Sequence, residues 1–73
     1  MSPIVNRFPG VVRQLREARG WSQEELAERA DLNRSYVGEI ERGNAMPSLV
    51  TINKLASSFD LLPSFLLARC EQH

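Results

Sequence analysis

The sequence predicts an all-α domain built from five short helices. Apolar residues recur at the three- and four-residue spacing of amphipathic helices. Capping residues divide this pattern into segments. N-cap residue types precede three of the apolar runs, at Ser22, Asn33 and Ser48, and Gly20 follows the end of the first run, where a helix commonly ends. With 73 residues, the chain is near the lower size limit for a single core without disulfides or metal. We therefore expect one domain, without a separate module for a small-molecule effector, and further stability from self-association.

The N-terminal part is predicted to be an arm followed by the first helix. Residues 1–8 form the arm, because Ser2 and Pro3 disfavour an early helix. The helix begins at Pro9, which is tolerated in a first helical turn, and runs to about Arg19. Its apolar face consists of Val12, Leu15 and Ala18.

Two short helices joined by a tight turn form the centre of the chain. The Ser22 hydroxyl can accept from the backbone N–H of Glu25, whose side chain can reach back, so S-x-x-E indicates a capping box. Asn33 offers the N-cap of the second helix, in which Val37 and Ile40 have the i, i+3 spacing of an apolar face. Small Ala27 and inward-facing Leu32 suit a close crossing of two helices at a turn. This arrangement is a helix-turn-helix.

The C-terminal part is predicted to contain two further helices, the first capped by Ser48 and the second beginning at Pro63. The core face of the fourth helix is Leu49, Ile52, Leu55, Ala56 and Phe59. The segment that follows has more apolar residues than so small a body can bury, and exposed apolar clusters commonly mark an interface. These residues are Leu61, Leu62, Phe65, Leu66 and Leu67. The domain is expected to span residues 9–69, with a surface tail at 70–73.

The central motif resembles the Cro and phage-repressor (XRE) helix-turn-helix family. The resemblance rests on residues 22–43, S-Q-E-E-L-A-E-R-A-D-L-N-R-S-Y-V-G-E-I-E-R-G, followed by N-A-M-P-S-L, and extends over about residues 9–67. The portion R-S-Y-V-x-x-I-E-R-G is most similar to restriction-modification controller proteins. The family implies a compact, lambda-repressor-like five-helix fold and a homodimeric transcriptional regulator that binds a pseudo-palindromic operator in double-stranded DNA. The controllers further imply regulation of restriction-modification genes.

The second helix of the motif carries the candidate base contacts. Arg34 can donate two hydrogen bonds to O6 and N7 of a guanine. Ser35 and Tyr36 match contact positions of the family, although Tyr36 could instead be a half-buried spacer. Glu39 could accept from cytosine N4 or could repel phosphate. The base contacts are therefore predicted to be Arg34, Ser35, Tyr36 and Glu39.

Phosphate contacts are expected around this helix. Gln23 lies at a helix start, where unpaired backbone N–H groups favour an anion, and it matches a backbone-contacting position of the family; it could alternatively be a solvent-exposed polar residue. The predicted phosphate contacts are Gln23, Asn33, Arg42, Asn44 and Arg16. The resemblance also implies a partly buried ion pair between Arg16 and Glu41.

Two other features follow from the resemblance. The last helix pairs with its symmetry mate in the family, which implies a dimer interface of Leu62, Phe65, Leu66 and Arg69. The chain departs from the family at Ala45, near which controllers usually have a basic residue, and at Asp31, where the turn usually has glycine. Asp tolerates the left-handed conformation better than most residues.

The charge distribution allows a DNA-binding surface although the formal net charge is zero. Residues 1–22 hold four arginines against Glu17, whereas residues 23–41 hold six acids against two arginines. The acids between positions 24 and 28 are expected on the solvent side of their helix, so a basic face is left for DNA. Eight of the nine basic residues are arginine, which suits bidentate recognition of phosphate or guanine. The net charge of zero predicts that each subunit binds DNA with modest affinity.

The remaining residues argue against other classes of protein. Cys70 has no partner for an intramolecular disulfide, and no signal peptide or membrane-spanning run is evident, so a cytoplasmic protein is expected. The terminal His73 and the single cysteine suggest no catalytic site, metal site or cofactor. The alternative to a regulator is a protein-binding module, such as an antitoxin whose apolar C-terminal surface covers a toxin.

Overall fold

The computed structural model describes residues 3–71, which form five α-helices and no strand. The helices are α1 (Pro3–Ala18), α2 (Gln23–Ala30), α3 (Arg34–Glu41), α4 (Leu49–Ser58) and α5 (Pro63–Glu71). Helix α1 packs against α3 and α5, and α2 packs against α3 and α4. The predicted all-α, five-helix fold with a helix-turn-helix at α2 and α3 is confirmed.

Helix α1 begins six residues earlier than predicted. The expected arm is wrong for residues 3–8, which are helical; residues 1 and 2 lie outside the described range. Pro3 occupies the first turn, where its missing N–H has no helical partner to lose. Burial of Phe8 in the core and packing of Ile4 against it favour the extra turns, although Pro9 removes one hydrogen bond inside the helix. Tertiary packing therefore outweighs the local preference of Pro9 for the first turn of a helix.

The predicted N-caps are all present. The Ser22 hydroxyl accepts from the Glu25 N–H at 3.0 Å, and the Ser48 hydroxyl accepts from the Thr51 N–H at 3.1 Å. Asn33 accepts from the Ser35 N–H at 2.7 Å. These bonds satisfy donors that helix formation leaves unpaired, and they fix where α2, α3 and α4 begin.

Two aspartates end helices in the left-handed conformation that glycine usually provides. Asp31 after α2 has φ 55°, and Asp60 after α4 has φ 58°. The residue after each aspartate returns a backbone hydrogen bond of 2.8 Å, from Leu32 N to Ala27 O and from Leu61 N to Ala56 O. These bonds satisfy carbonyls at the helix ends and turn the chain into the next segment.

The core contains residues from all five helices. Its buried apolar side chains are Phe8, Val12, Leu15, Leu26, Ala27, Ala30, Val37, Ile40, Leu55, Ala56, Phe59, Leu66 and Cys70. Cys70 was expected in a surface tail from residue 70, but α5 continues to Glu71 and the thiol faces the core one turn after Leu66. The tail prediction is therefore wrong for residues 70 and 71, and residues 72 and 73 lie outside the described range. Burial raises the pKa of the Cys70 thiol.

The first turn of α4 differs from the prediction. Leu49 was expected in the core but is 81% exposed, and Val50 beside it is 66% exposed. Core contact along α4 begins at Thr51 and Ile52, because the first turn extends past the body of the domain. No helix within residues 3–71 combines the length and apolarity needed to cross a bilayer.

Trp21 closes the edge of the core. Its ring stacks on that of Phe59, with centroids 5.8 Å apart and planes inclined by 10°. The guanidinium of Arg29 lies 4.4 Å from the centroid of the indole, where a cation–π interaction is favourable. The ring therefore joins the loop before α2 to the end of α4.

Candidate nucleic-acid interface

Helix α3 has one buried face and one outer face. Val37 and Ile40 are buried against the core, whereas Arg34, Gly38 and Arg42 follow one another at i, i+4 and i+8 on the opposite side. The outer face borders a shallow groove of about 290 Å³. The groove is lined by Gln23, Arg34, Ser35, Gly38, Glu39 and Arg42. Five residues predicted to contact DNA are thereby brought together.

A buried ion pair sets the position of this face relative to α1. Arg16 Nε donates to Glu41 Oε2 at 2.8 Å, and Arg16 Nη2 donates to Glu41 Oε1 at 3.0 Å. Arg16 Nη1 also donates to the Trp21 carbonyl at 2.8 Å. The hydrogen bonds and negative charge of Glu41 raise the pKa of Arg16 despite its partial burial. The ion pair implied by the family resemblance is therefore present.

Arg16, which was also predicted to contact phosphate, is bonded mainly to other groups of the protein. Its side chain is only 12% exposed, and each of its three guanidinium nitrogens donates to a protein oxygen. The arginine fork matches the geometry of the carboxylate, so the expected ion pair is confirmed. The additional phosphate contact of Arg16 stays a prediction, which its small exposure disfavours.

Gln23 is oriented by the same carboxylate. Its Nε2 donates to Glu41 Oε1 at 3.1 Å, and the residue is half-buried at the first position of α2. This bond excludes the alternative of a freely exposed polar residue. The side chain lies in the groove beside the N-terminus of α2, where a phosphate is favoured.

Tyr36 is separate from the other predicted base contacts. Its hydroxyl lies 3.3 Å from the Thr51 hydroxyl on α4, and its ring is half-buried against the core. It does not line the groove formed by Arg34 and Ser35. The structure therefore favours the half-buried spacer over the base reader for Tyr36.

Glu39 is tied to two residues at the end of α3. Its carboxylate accepts from Asn44 Nδ2 at 3.1 Å and lies 3.3 Å from Arg42 Nη2. The hydrogen bond from Asn44, followed by the charge of Arg42, holds the pKa of Glu39 below its usual range. Glu39 is thus a carboxylate at neutral pH, and it places Arg42 and Asn44 side by side.

The charged groups around the groove beside α3 are mainly basic, which favours DNA binding there. The groove contains Arg34 and Arg42 and only one acid, Glu39. Three further acids of the motif, Glu24, Glu25 and Glu28 of α2, line a separate hollow with the N-cap residue Ser22. The solvent-side position expected for these three acids is confirmed. The exposed Asn33, whose carbonyl oxygen caps α3, lies at the start of the basic face.

The four residues predicted for the dimer surface comprise three exposed residues and one buried residue. Leu62 and Phe65 are 61% and 60% exposed, and Arg69 is also exposed, at the i, i+3, i+7 spacing of one helical face. Leu66 is fully buried in the core and cannot belong to that surface. The sequence alone could not choose among the leucines, because the choice depends on how α5 is rotated against α1.

Two contacts at the groove beside α3 were not predicted from the sequence. One is the bond from Gln23 to Glu41, which are 18 positions apart and meet only in the fold. The other is the contact between Arg42 and Gly38, for which the i, i+4 spacing was an available signal. Among residues 3–71, no group of three or more His, Cys, Asp or Glu is arranged to hold a metal ion.

Comparison with known proteins assigns the family. A helix-turn-helix family model matches residues 12–66. The chain belongs to this helix-turn-helix family. Control protein C.BamHI of Bacillus amyloliquefaciens is 40% identical over 71 residues, covering 89% of this chain and 88% of that protein. The predicted XRE-type resemblance, with similarity to controllers, is confirmed.

Other relatives support the fold of this family member and differ in length. The crystal structure of restriction-modification controller C.AhdI from Aeromonas hydrophila matches with a TM-score of 0.80 and 48% identity, covering 85% of this chain and 94% of that one. The HTH-type transcriptional regulator SutR of Escherichia coli K12 is 36% identical over 61 residues. That match covers 84% of this chain but only 34% of SutR, so the chain spans about a third of that relative.

Proposed function

We propose that this chain is a sequence-specific DNA-binding transcriptional regulator that acts as a homodimer in the cytoplasm. The observation that carries the proposal is the outer face of α3, where Arg34, Ser35 and Arg42 border one groove with Gln23 at the start of α2. A helix with a buried inner face and an arginine-rich outer face is suited to a major groove. Membership of the helix-turn-helix family supports this function.

Within that groove, Arg34 is the principal base reader. It is exposed near the N-terminus of α3, the end of a recognition helix that contacts base edges. Its guanidinium can donate two hydrogen bonds to a guanine, with Ser35 alongside. Gln23, Asn33 and Asn44 surround this face as phosphate contacts, and they fix the helix in register with the DNA.

Two copies of the domain associate through the exposed face of α5. Its large apolar residues are Phe65 and Leu62, which immediately precedes the helix, and Arg69 extends the face by one turn. Burial of these side chains against a second copy removes apolar area from water. A two-fold axis at α5 places two recognition helices about 34 Å apart, which is the spacing of successive major grooves.

The regulated genes are proposed from similarity to the controllers. Both C.BamHI and C.AhdI match over most of their own length, with 40% and 48% identity. We infer that this chain controls restriction-modification genes, including its own operon. The chain lacks a basic residue at Ala45, near which controllers usually have one, so we expect weaker attachment to the backbone at that point.

The experiment that tests the function is selection of bound duplexes from a random DNA pool by the purified chain. We expect a two-fold symmetric site whose half-sites are centred about one helical turn, roughly 10 base pairs, apart. The contrary result is that no duplex sequence is enriched and that the affinity for DNA depends on the salt concentration but not on the sequence. That result would leave nonspecific electrostatic binding and remove the proposed function.

A protein-binding module is the second candidate, favoured by the exposure of Leu62 and Phe65. In that case the α5 face covers a different protein, as in an antitoxin, and the isolated chain is monomeric. Sedimentation equilibrium separates the two proposals, since the regulator sediments as a dimer and the module as a monomer. We propose no catalytic activity for a member of this regulator family.

A further inference from the structure

Gly38 in the middle of α3 is covered by the side chain of Arg42. A Cβ atom at position 38 would lie 3.2 Å from Nη1, 3.3 Å from Nη2 and 3.6 Å from Cζ of Arg42. These are the three nearest atoms to that point, and Gly38 is buried although it lies on the outer face. The guanidinium of Arg42 therefore lies directly against the space that a side chain at position 38 would take.

The position of this guanidinium follows from helix geometry. Arg42 lies four residues after Gly38, and side chains of a helix lean towards its N-terminus. The Arg42 side chain consequently extends back over Gly38, towards Arg34 in the same i, i+4, i+8 row. It lines the same groove as Arg34 and Ser35. A residue at the C-terminal end of α3 thus presents its charge on the middle of the recognition face.

Glu39 and Asn44 hold the guanidinium in this position. Arg42 Nη2 is 3.3 Å from Glu39 Oε2, and Asn44 Nδ2 donates to the same oxygen at 3.1 Å. The Arg42 side chain is nevertheless 58% exposed. Its planar fork has five N–H donors, so donors remain available to an incoming base edge. The ion pair orients the group without covering it.

We propose that Arg42 is a second base-reading residue, which contacts a guanine beside the one read by Arg34, and that Gly38 provides the space for it. This inference rests on the proposed function of α3 as the recognition helix. It differs from the phosphate contact that the sequence suggested for Arg42. It also gives Gly38 a role other than close approach of the helix backbone to DNA.

The two roles of Arg42 predict different specificity. The selected operator and all its single-base variants are titrated with the wild type, Arg42→Ala and the control Arg13→Ala, an exposed arginine on α1, at two salt concentrations. We expect Arg42→Ala to lower the preference for guanine at one position of each half-site by a factor of about 5 to 150, the discrimination of one bidentate contact. Arg13→Ala is expected to keep the wild-type preferences.

Uniform weakening across all sequences in Arg42→Ala, with a salt slope reduced by about one, would overturn the inference and identify a phosphate contact. Unchanged preferences would also overturn it. In both cases the wild type still selects a sequence, so the proposed function survives. A wild type that selects no sequence would overturn both the function and the inference.

Gly38→Ala, measured alone and together with Arg42→Ala, tests the role of the glycine. Alanine favours the helix, so folding is retained, but its methyl group pushes the guanidinium back by a few tenths of an ångström from its position over residue 38. We expect Gly38→Ala alone to lower the same guanine preference and no other, and to have no further effect when Arg42 is already alanine. An equal loss of affinity with and without Arg42 would instead assign Gly38 to close approach of the DNA.

Discussion

The guanidinium of Arg16 meets the carboxylate of Glu41 through two hydrogen bonds, of 2.8 and 3.0 Å, that join α1 to the last residue of α3. The side chains are only 12% and 3% exposed. Glu41 also holds Gln23 at the start of α2. One carboxylate therefore connects the first helix, the recognition helix and a candidate phosphate contact.

Glu41→Gln is predicted to destabilise the domain strongly. The variant keeps the shape of the side chain but leaves the Arg16 charge largely buried without a counterion. We expect the free energy of unfolding to fall by about 3 kcal/mol, the lower end of the range for such a loss because Arg16 retains some exposure. Urea denaturation followed by circular dichroism measures the change.

The control for this prediction is Glu17→Gln on the same α1. Glu17 pairs with Arg13 at 3.4 Å, but these side chains are 56% and 62% exposed. A solvent-exposed pair contributes little, so the expected change is below about 0.5 kcal/mol. Equal small changes in both variants would show that the Arg16–Glu41 pair does not hold the helices together.

Phe65→Asp is predicted to convert the protein to monomers. The change puts a negative charge next to Leu62 in the exposed face that we assign to the dimer, while the core residue Leu66 is untouched. DNA affinity is expected to fall at least about tenfold, because a monomer engages one half-site. Sedimentation equilibrium and titration of the selected operator measure the two effects.

Leu49→Asp is the matched control for Phe65→Asp. Leu49 is the most exposed large apolar residue of the described chain, at 81%, and it lies on α4. The control variant is expected to remain dimeric. Dissociation by Leu49→Asp, with dimers retained in Phe65→Asp, would move the interface from α5 to the start of α4.

Asp60→Gly is predicted to stabilise the domain. Asp60 has φ 58°, a conformation that costs a residue with a Cβ roughly 1 kcal/mol or more and costs glycine nothing. Greater freedom of the unfolded chain offsets part of the gain, so we expect about 0.5 kcal/mol. Ser57→Gly, inside α4, is expected to lose about 0.5 kcal/mol. A loss in both variants would show that strain at Asp60 is absent.

The sequence predicted those features that depend on neighbouring residues. The caps at Ser22, Asn33 and Ser48 were correct because each side chain bonds to a backbone group two or three positions away. The left-handed conformation of Asp31 was also expected, because the family usually has glycine at this turn.

Features that depend on tertiary packing could not be predicted in the same way. Helical structure before Pro9 results from burial of Phe8, and the inward position of Leu66 depends on the rotation of α5. The charge network around Glu41 connects residues 16, 23 and 41, which only the fold brings together. Arg34 was identified from the chemistry of its guanidinium, and Ser35 because it matches a contact position of a known family.

The most direct measurement is the guanine preference of Arg34→Ala. The selected operator, and versions of it with each guanine replaced, are titrated with the wild type, Arg34→Ala and Arg13→Ala. We predict that the wild type and Arg13→Ala discriminate against the replacement at one position by a factor of about 5 to 150 and that Arg34→Ala loses this discrimination. Full discrimination by Arg34→Ala, or equal weakening on every sequence, would contradict base reading by the N-terminus of α3.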